Sequence, residues 1–328
     1  MPRASGEESS QQRFHALPSA CQRWLERYGG WIVIAFIASM AIYILALNAL
    51  EHVPGRSISL KLGSDLLQLA GEIIGLLFCL CSVTRLRVGW IRMYQEQKSR
   101  AEISSALAEL SAQTLRARRR AWIAWVFLTL GIGLYACGQV VWTNYDMHMS
   151  SSQSPAPGFY NLCFAASYPA FLIGTLLLAR RRRNIINQAC LALDALAILV
   201  ASFALAWFFV LGPTIAALSG SFSAEVISLY FPSIDLFMVA VAILLMFSPL
   251  SLPSHRPVLR RLCLGLILLV VVDSLLGYLS LTPSGFNTGT LQDILWPLSM
   301  MCIGLAAIEY PRSVAREQAL HAEYDGHL

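Results

Sequence analysis

Apolar residues in this chain come in long, uninterrupted runs rather than at amphipathic spacing. Eight of these runs reach the length, about 20 residues, at which a helix crosses a hydrocarbon core of about 30 Å. Lipid offers no hydrogen-bond partners, so each run is predicted to be a helix, whose backbone groups pair internally. The pattern therefore predicts an all-α fold, a polytopic membrane helical bundle of about eight transmembrane helices. The predicted spans are Trp31–Leu50, Asp65–Thr84, Ala121–Trp142, Tyr160–Ala179, Gln188–Leu211, Val226–Phe247, Leu262–Leu281 and Leu291–Glu309.

Composition and charge placement agree with this interpretation. Of the 328 residues, 56% are hydrophobic and 13% are charged, whereas about a quarter are charged in a typical soluble domain. Of the 24 Lys and Arg residues, 22 fall in tails and connections on one side of the predicted bundle, and the opposite connections carry Arg56 and Lys61. Because cytoplasmic loops retain positive charge, both termini are predicted to be cytoplasmic. Residues 1–30 are polar, and no cleavable signal peptide is expected.

The predicted spans divide the chain into five segments. The basic stretch between spans two and three is predicted to be helical, because Ile103, Leu107 and Leu110 would share one narrow apolar face. This helix either lies on the anionic headgroups of membrane lipids or serves as a dimerising or signal-coupling helix, which leaves a homodimer open. The Ser- and Pro-rich stretch Thr143–Phe159 is predicted to be a flexible external loop. The segments are a cytoplasmic polar tail at 1–30, a transmembrane hairpin at 31–84, the basic cytoplasmic linker at 85–120, a six-helix membrane block at 121–309 and a cytoplasmic tail at 310–328.

Four carboxyl side chains lie inside the apolar runs, where an ionisable group is costly and nearly always faces the bundle interior. Asp235 lies nine residues from the outer end of span six, about 13–14 Å deep, and Asp273 lies eleven residues from the inner end of span seven, about 16–17 Å deep. In a core of about 30 Å both depths fall near the midplane, so these two carboxyls are predicted to face each other. Asp194 is expected nearer the cytoplasmic side and Glu72 nearer the outside.

No Lys or Arg occurs inside a predicted span to pair with these carboxyls. They are therefore predicted to be protonated, hydrogen-bonded to groups such as Tyr168, Tyr230 or Tyr278, or bound to a cation or amine ligand. Two interpretations stay open, namely neutral carboxyls in structural interhelical hydrogen bonds and a functional ligand, ion or proton site. Pro169 and Pro232 can kink spans four and six and open space beside the polar residues.

Other site chemistry has little support in the sequence. All six histidines lie in predicted tails or loops, and neither a Gly-rich phosphate loop nor a nucleophile elbow is present. We therefore predict no catalytic residue, no metal site and no cofactor. The Arg-rich runs are better explained by membrane orientation and contact with lipid headgroups than by nucleic acid.

Several motifs occur in order over about residues 121–318, followed by a helix-compatible tail at Glu317–Glu323. They are Gly133-Leu-Tyr-Ala-Cys-Gly-Gln-Val-Val-Trp142, Pro155-Ala-Pro157 followed by Tyr160, Tyr168-Pro169, Leu193-Asp194, Tyr230-Phe-Pro-Ser-Ile-Asp235, and Val272-Asp273 with Tyr278. In these motifs the chain resembles the multi-span N-terminal membrane sensor module of bacterial signalling proteins that carry PAS, GGDEF and EAL output domains. The family often has an acid where Gln139 stands.

The resemblance implies an integral membrane sensor or signal-relay protein of the bacterial cytoplasmic (inner) membrane, of the kind that acts in cyclic-di-GMP signalling. A small ligand, a lipid or a proton would act on the midplane carboxyls, and a helix shift would pass to a cytoplasmic effector. No GGDEF-type or kinase domain occurs in these residues, so enzymatic activity is not expected within the chain. The alternative is an ion- or proton-coupled transporter or channel that uses the same carboxyls.

Overall fold

The computed structural model describes residues 20–49, 55–100, 105–148, 158–179, 193, 196–204, 207–217, 222–246, 255–280 and 288–325. These residues form helices and no strand, which confirms the all-α prediction for the described part of the chain. A π-helical turn covers Trp207–Leu211, and a 3-10 turn covers Leu291–Ile294. The α-helices are α1 (Ala20–Ala49), α2 (Arg56–Arg100), α3 (Ser105–His148), α4 (Phe159–Ala179), α5 (196–204), α6 (Gly212–Ala217), α7 (Phe222–Met246), α8 (Arg256–Ser280) and α9 (Leu295–Asp325).

Six of the described helices, α1 to α4, α8 and α9, are long and apolar enough to cross a membrane. Large apolar side chains such as Trp31, Ile42 and Leu77 are exposed on their outer faces, as expected for helices surrounded by lipid. The chain is therefore an integral membrane protein. Predicted span six corresponds to α7, in which the apolar stretch Leu229–Ile243 is shorter, and predicted span five is described only in part. The total of eight spans and the cytoplasmic placement of the termini stay predictions.

The helices extend further than the apolar runs do. The basic stretch 85–120 is largely a continuation of α2 and the beginning of α3, rather than a separate helix between two spans. The prediction of an external loop from Thr143 is wrong for Thr143–His148, which continue α3, whereas 149–157 lie outside the described residues. The polar end of the predicted tail belongs to α1, which begins at Ala20. Hydropathy locates the part of a helix that lies within the hydrocarbon core. Arg, Lys, Gln, Glu and Ala are good helix formers, so the helix continues beyond that part.

Six helices form a closed ring that surrounds the core. In order they are α2, α3, α4, α7, α8 and α9, each packed on the next, and α9 packs back on α2. Helix α1 lies outside the ring against α2 and α9. The middle of the ring is filled by large side chains that include Trp125, Tyr135, Phe171, Leu266 and Met300. Of the six apolar helices, α9 is the most deeply buried, so it is the helix whose position the others constrain most.

Helices α2 and α9 approach each other closely through a pair of glycines. A Cβ atom added to Gly75 would lie 2.6 Å from the carbonyl oxygen of Met300, and one added to Gly304 would lie 2.8 Å from the carbonyl oxygen of Gly75. Small residues let transmembrane helix backbones come this close.

Two backbone carbonyls lose their helical hydrogen-bond donor to a proline, and each accepts a hydrogen bond from a hydroxyl side chain instead. Proline has no N–H, so Pro169 in α4 and Pro311 in α9 leave the carbonyl four residues earlier without its helical donor. Tyr230 donates to the carbonyl of Ala165 at 2.8 Å, and Ser82 donates to that of Ala307 at 2.6 Å. Both hydroxyls belong to a neighbouring helix, so each proline is compensated across a helix interface.

The two ends of the bundle differ in charge. At one end, which we call the Lys61 end, Lys61 forms an ion pair with Asp146 at 3.2 Å. At the other, which we call the Arg85 end, Glu26 accepts hydrogen bonds from both Arg85 and Arg312. Also at the Arg85 end, Arg261 forms an ion pair with Glu309, and the Nε2 atom of His255 lies within hydrogen-bond distance of the Glu317 carboxyl, at 2.9 Å.

Candidate functional site

Asp273 connects three helices of the ring. The hydroxyl of Tyr168, from α4, donates a hydrogen bond to its Oδ2. The indole Nε1 of Trp296, from α9, donates to its Oδ1 at 2.9 Å. Tyr168 was among the partners expected from the sequence, and this hydrogen bond confirms that expectation. Because the two donors belong to different helices, the charge and protonation of one carboxyl bear directly on how α4, α8 and α9 fit together.

Asp235 is the second carboxyl of this cluster. It lies in the middle of α7, is 3% exposed, and its Oδ1 meets no hydrogen-bond donor among the described residues. Its carboxyl lies within electrostatic range of that of Asp273. The structure therefore brings together the two residues that the depth estimate placed at one level.

Tyr135 extends the cluster toward α2, and the sequence did not single it out. This buried tyrosine of α3 lies within electrostatic range of the carboxyls of Asp235, Asp273 and Glu72. From the sequence, an aromatic residue in an apolar run is predicted to be an ordinary core residue. Only the packing between helices shows that carboxyls lie near it. Tyr135 thus stands between the Asp235–Asp273 pair and the carboxyl of α2.

Two carboxyls of α2 are fully buried without a donor. Neither oxygen of Glu72, and neither oxygen of Asp65, meets a hydrogen-bond partner within the part of the chain that the structure describes. Burying a charged carboxyl in this way costs far more than burying a neutral one. Asp65 was missed because it stands at the first position of predicted span two, where contact with water was assumed.

Asp293 is a third buried carboxyl near the Lys61 end, and it is well satisfied. Its Oδ2 accepts hydrogen bonds from the backbone N–H of Gly289 at 2.6 Å, from that of Thr290 at 3.2 Å and from the Ser64 hydroxyl at 2.8 Å. Gly289 has φ = +95°, a conformation that favours glycine. The spacing of Thr290 and Asp293 is that of a helix N-terminus, which could have identified the residue from the sequence.

The remaining predicted site residues lie elsewhere. Tyr230, one of the three tyrosines offered as carboxyl partners, donates its hydroxyl to the carbonyl of Ala165 instead. Tyr278 is 51% exposed on α8 and does not contribute to the buried cluster. Asp194 lies outside the described residues.

The arrangement is suited to binding protons or a small cation. Neither Asp235 nor Asp273 lies within salt-bridge distance of a basic group in the described ranges. Two neighbouring carboxyls in a poorly solvated interior repel each other when both are charged, so a shared proton or a cationic ligand stabilises the pair. A group of three or more metal-ligating side chains does not occur among the described residues.

Comparison with known proteins gives no match. No family model matches the chain, and neither a curated protein nor a solved structure is significantly similar to it. The resemblance to bacterial sensor modules therefore stays a prediction, and the buried carboxyls are the basis for any functional proposal.

Proposed function

We propose that this protein is an integral membrane sensor or signal-relay protein. The occupancy of the Asp235–Asp273 pair by a proton or a small cationic ligand sets the position of α9. The single observation that carries the proposal is the hydrogen bond from Trp296 to Asp273, because Trp296 lies on the same uninterrupted helix that ends at Asp325. At a rise of about 1.5 Å per residue, α9 spans about 43 Å from Trp296 to its end. A shift at the site would therefore be carried to the far end of the bundle and to a cytoplasmic effector.

The two donors to Asp273 make the site sensitive to protonation. A charged carboxylate accepts from both Tyr168 and Trp296, whereas a protonated oxygen becomes a donor itself. The tyrosine hydroxyl can reverse its role and accept, but an indole N–H can only donate. A proton on Oδ1 therefore turns a charged acceptor into a weaker, neutral one and loosens the contact with α9, which gives the two packings with different ligand affinity that a sensor requires.

Electron paramagnetic resonance distances test this proposal. Nitroxide labels carried by noncanonical residues at exposed positions 92 on α2 and 316 on α9 report the position of the far end of α9 in lipid bilayers. We expect the wild-type distance distribution to change with pH, and Asp273→Asn to hold one distribution at every pH. The control Thr175→Val removes a buried hydroxyl that bonds within α4, to the Phe171 carbonyl, and should behave like wild type. A distribution unaffected by pH and by Asp273→Asn would refute the proposal.

A proton- or ion-coupled transporter is the second candidate, favoured by the additional buried carboxyls Asp65 and Glu72. Transport needs access from both sides of the membrane. Toward the Arg85 end, Glu26 and Glu309 are held in ion pairs with arginine side chains, and this favours a sensor. Steady proton or cation flux through reconstituted protein would support the transporter instead.

A further inference from the structure

A row of polar side chains runs along one face of α2 toward the Asp273 site. Lys61, Asp65, Gln68 and Glu72 are separated by four, three and four residues, which places them on one face of the helix. Asp65, Gln68 and Glu72 are buried. The side chain of Lys61, at the outer end of the row, is 28% exposed. The row thus begins near solvent and continues inward.

Helix α3 carries a matching row on the face that it turns to α2. Its members, in order from the Lys61 end, are Asp146, Thr143, Gln139 and Tyr135. The two helices are antiparallel, and the contact between Lys61 and Asp146 fixes their register. This register brings Gln68 level with Gln139 and Glu72 level with Tyr135, in agreement with the electrostatic contact between the latter two.

Several buried polar atoms along this interface have no hydrogen-bond partner among the described residues. Buried polar groups in proteins are nearly always hydrogen-bonded, so several unpartnered groups in one row indicate a ligand that bonds to each. These groups come from two helices and include an amide and a hydroxyl as well as carboxyls. Within the described ranges, the unpartnered atoms are both carboxyl oxygens of Asp65 and Glu72, Nε2 of Gln139, Oγ1 of Thr143 and Oδ2 of Asp146.

The spacing of the row favours protons over a bound metal ion. Asp65 and Glu72 lie about 10 Å apart along α2, too far for one cation to touch both. Successive members of the row are about 4.5–6 Å apart along the axis, because a step is three or four residues. One water molecule that makes two hydrogen bonds bridges about 5.5 Å, so single waters fit between successive members.

We propose that the interface between α2 and α3 is a one-sided proton path from the Lys61 end to the Asp235–Asp273 pair. A hydronium at the Lys61 end gives its proton to the Asp65 carboxylate and leaves as water. That proton passes along a chain of bridging waters, past the Gln68 amide, to the Glu72 carboxylate about 10 Å away, which restores Asp65. The Tyr135 hydroxyl oxygen then takes the proton from Glu72 as it releases its own toward Asp273, so the tyrosine is unchanged. The last of these steps rests on the proposed sensor function, and the others do not.

The path is tested by the speed at which the Asp273 site responds to a pH jump. Protein of known orientation in lipid vesicles receives an acid jump on one side, and the tryptophan fluorescence that depends on Trp296 is followed, with Trp296→Phe as the blank. We expect a fast response to a jump at the Lys61 end and a slow one at the Arg85 end. Asp65→Asn and Glu72→Gln should slow the fast response about 100-fold, the lower range for the loss of a positioned proton carrier. Their final amplitude should be preserved.

Two further variants separate a carrier from a structural group. Glu72→Asp keeps an acid in the row and should recover part of the rate lost in Glu72→Gln. Glu309→Gln neutralises an acid that pairs with Arg261 outside the row and should respond at the wild-type rate. Equal response rates from the two sides, or a wild-type rate in Glu72→Gln, would overturn the path.

Infrared difference spectroscopy distinguishes failure of the path from failure of the sensor. The path predicts a deuterium-sensitive carboxylic acid band that disappears in Glu72→Gln and that exchanges from the Lys61 end. Such a band would support the path even if the fluorescence of Trp296 did not change with pH. In that case the sensor proposal alone would fail. Absence of such a band in wild type at every pH would overturn the path.

Discussion

Replacing Gly75 by alanine is expected to force α2 and α9 apart at their closest approach. The new Cβ would lie 2.6 Å from the Met300 carbonyl oxygen and 2.9 Å from its carbonyl carbon. Ordinary van der Waals contact begins at 3.4 Å, so the gap is about 0.8 Å too small. The obstacle is backbone in the most buried helix, which cannot turn aside as a flexible side chain would. The two helices have to separate along their whole interface.

The expected cost follows from two opposing effects. Overpacking a well-filled interior costs about 1–3 kcal/mol. Alanine in place of glycine in a helix returns about 0.5–1 kcal/mol. We therefore expect Gly75→Ala to lower the free energy of unfolding by about 1–2 kcal/mol. Gly89 lies on the same helix with nothing within 4 Å of its would-be Cβ, so Gly89→Ala should be neutral or stabilising.

The two variants can be compared by reversible unfolding in mixed detergent–lipid micelles with increasing denaturing detergent, followed by circular dichroism. Because both substitutions are glycine to alanine in α2, differences in helix propensity largely cancel. Gly75→Ala should unfold at a lower denaturant fraction than wild type and Gly89→Ala at the same or a higher one. Equal stability of the two variants would refute the close approach of α2 and α9.

Three other substitutions give expectations that can be measured by the same unfolding assay. Tyr168→Phe should cost about 1–2 kcal/mol in wild type and markedly less in an Asp273→Leu background, since no side-chain acceptor is then present at position 273; equal costs would contradict the hydrogen bond. Lys61→Met should destabilise by about 1–3 kcal/mol because it leaves Asp146 without its cation beside Asp65, and adding Asp146→Asn should recover most of the loss; no recovery would count against the pair. Gly289→Ala should cost about 1–3 kcal/mol, since it strains a left-handed position that supports Asp293; a neutral result would argue against φ = +95° there.

Hydropathy and depth arithmetic were enough to predict the centre of the candidate site. Asp235 and Asp273 stand out because a single carboxyl in an apolar run is rare, and the helix rise converts their positions into depths. Asp65 and Asp146 could not be recognised in this way. They lie at or beyond the ends of the predicted spans, and hydropathy treats such positions as exposed to water. Their burial results from helices that continue past the apolar runs and pack against each other.

The contacts between helices could not be predicted from the sequence, for a different reason. Tyr135 owes its importance to carboxyls on three other helices, and Tyr230 is diverted from the carboxyls by the carbonyl that Pro169 leaves free. Gly75 and Gly304 each look like ordinary glycines in a membrane helix until the crossing partner is known. Which helices are neighbours in the ring decides all three cases, and a pattern along one chain segment does not contain that information.

The contact between Asp273 and Trp296 is the central claim, and solid-state NMR measures it most directly. Protein in lipid bilayers is labelled with ¹³C at aspartate Cγ and ¹⁵N at the indole nitrogen, and the contribution of Trp296 is isolated by subtracting a Trp296→Phe sample. A hydrogen bond of 2.9 Å from Nε1 to Oδ1 places the labelled carbon and nitrogen about 3.5–4 Å apart, which gives a dipolar coupling that is weak but measurable by recoupling experiments. Absence of that coupling would contradict the account, because α9 would then have no direct link to the Asp235–Asp273 pair.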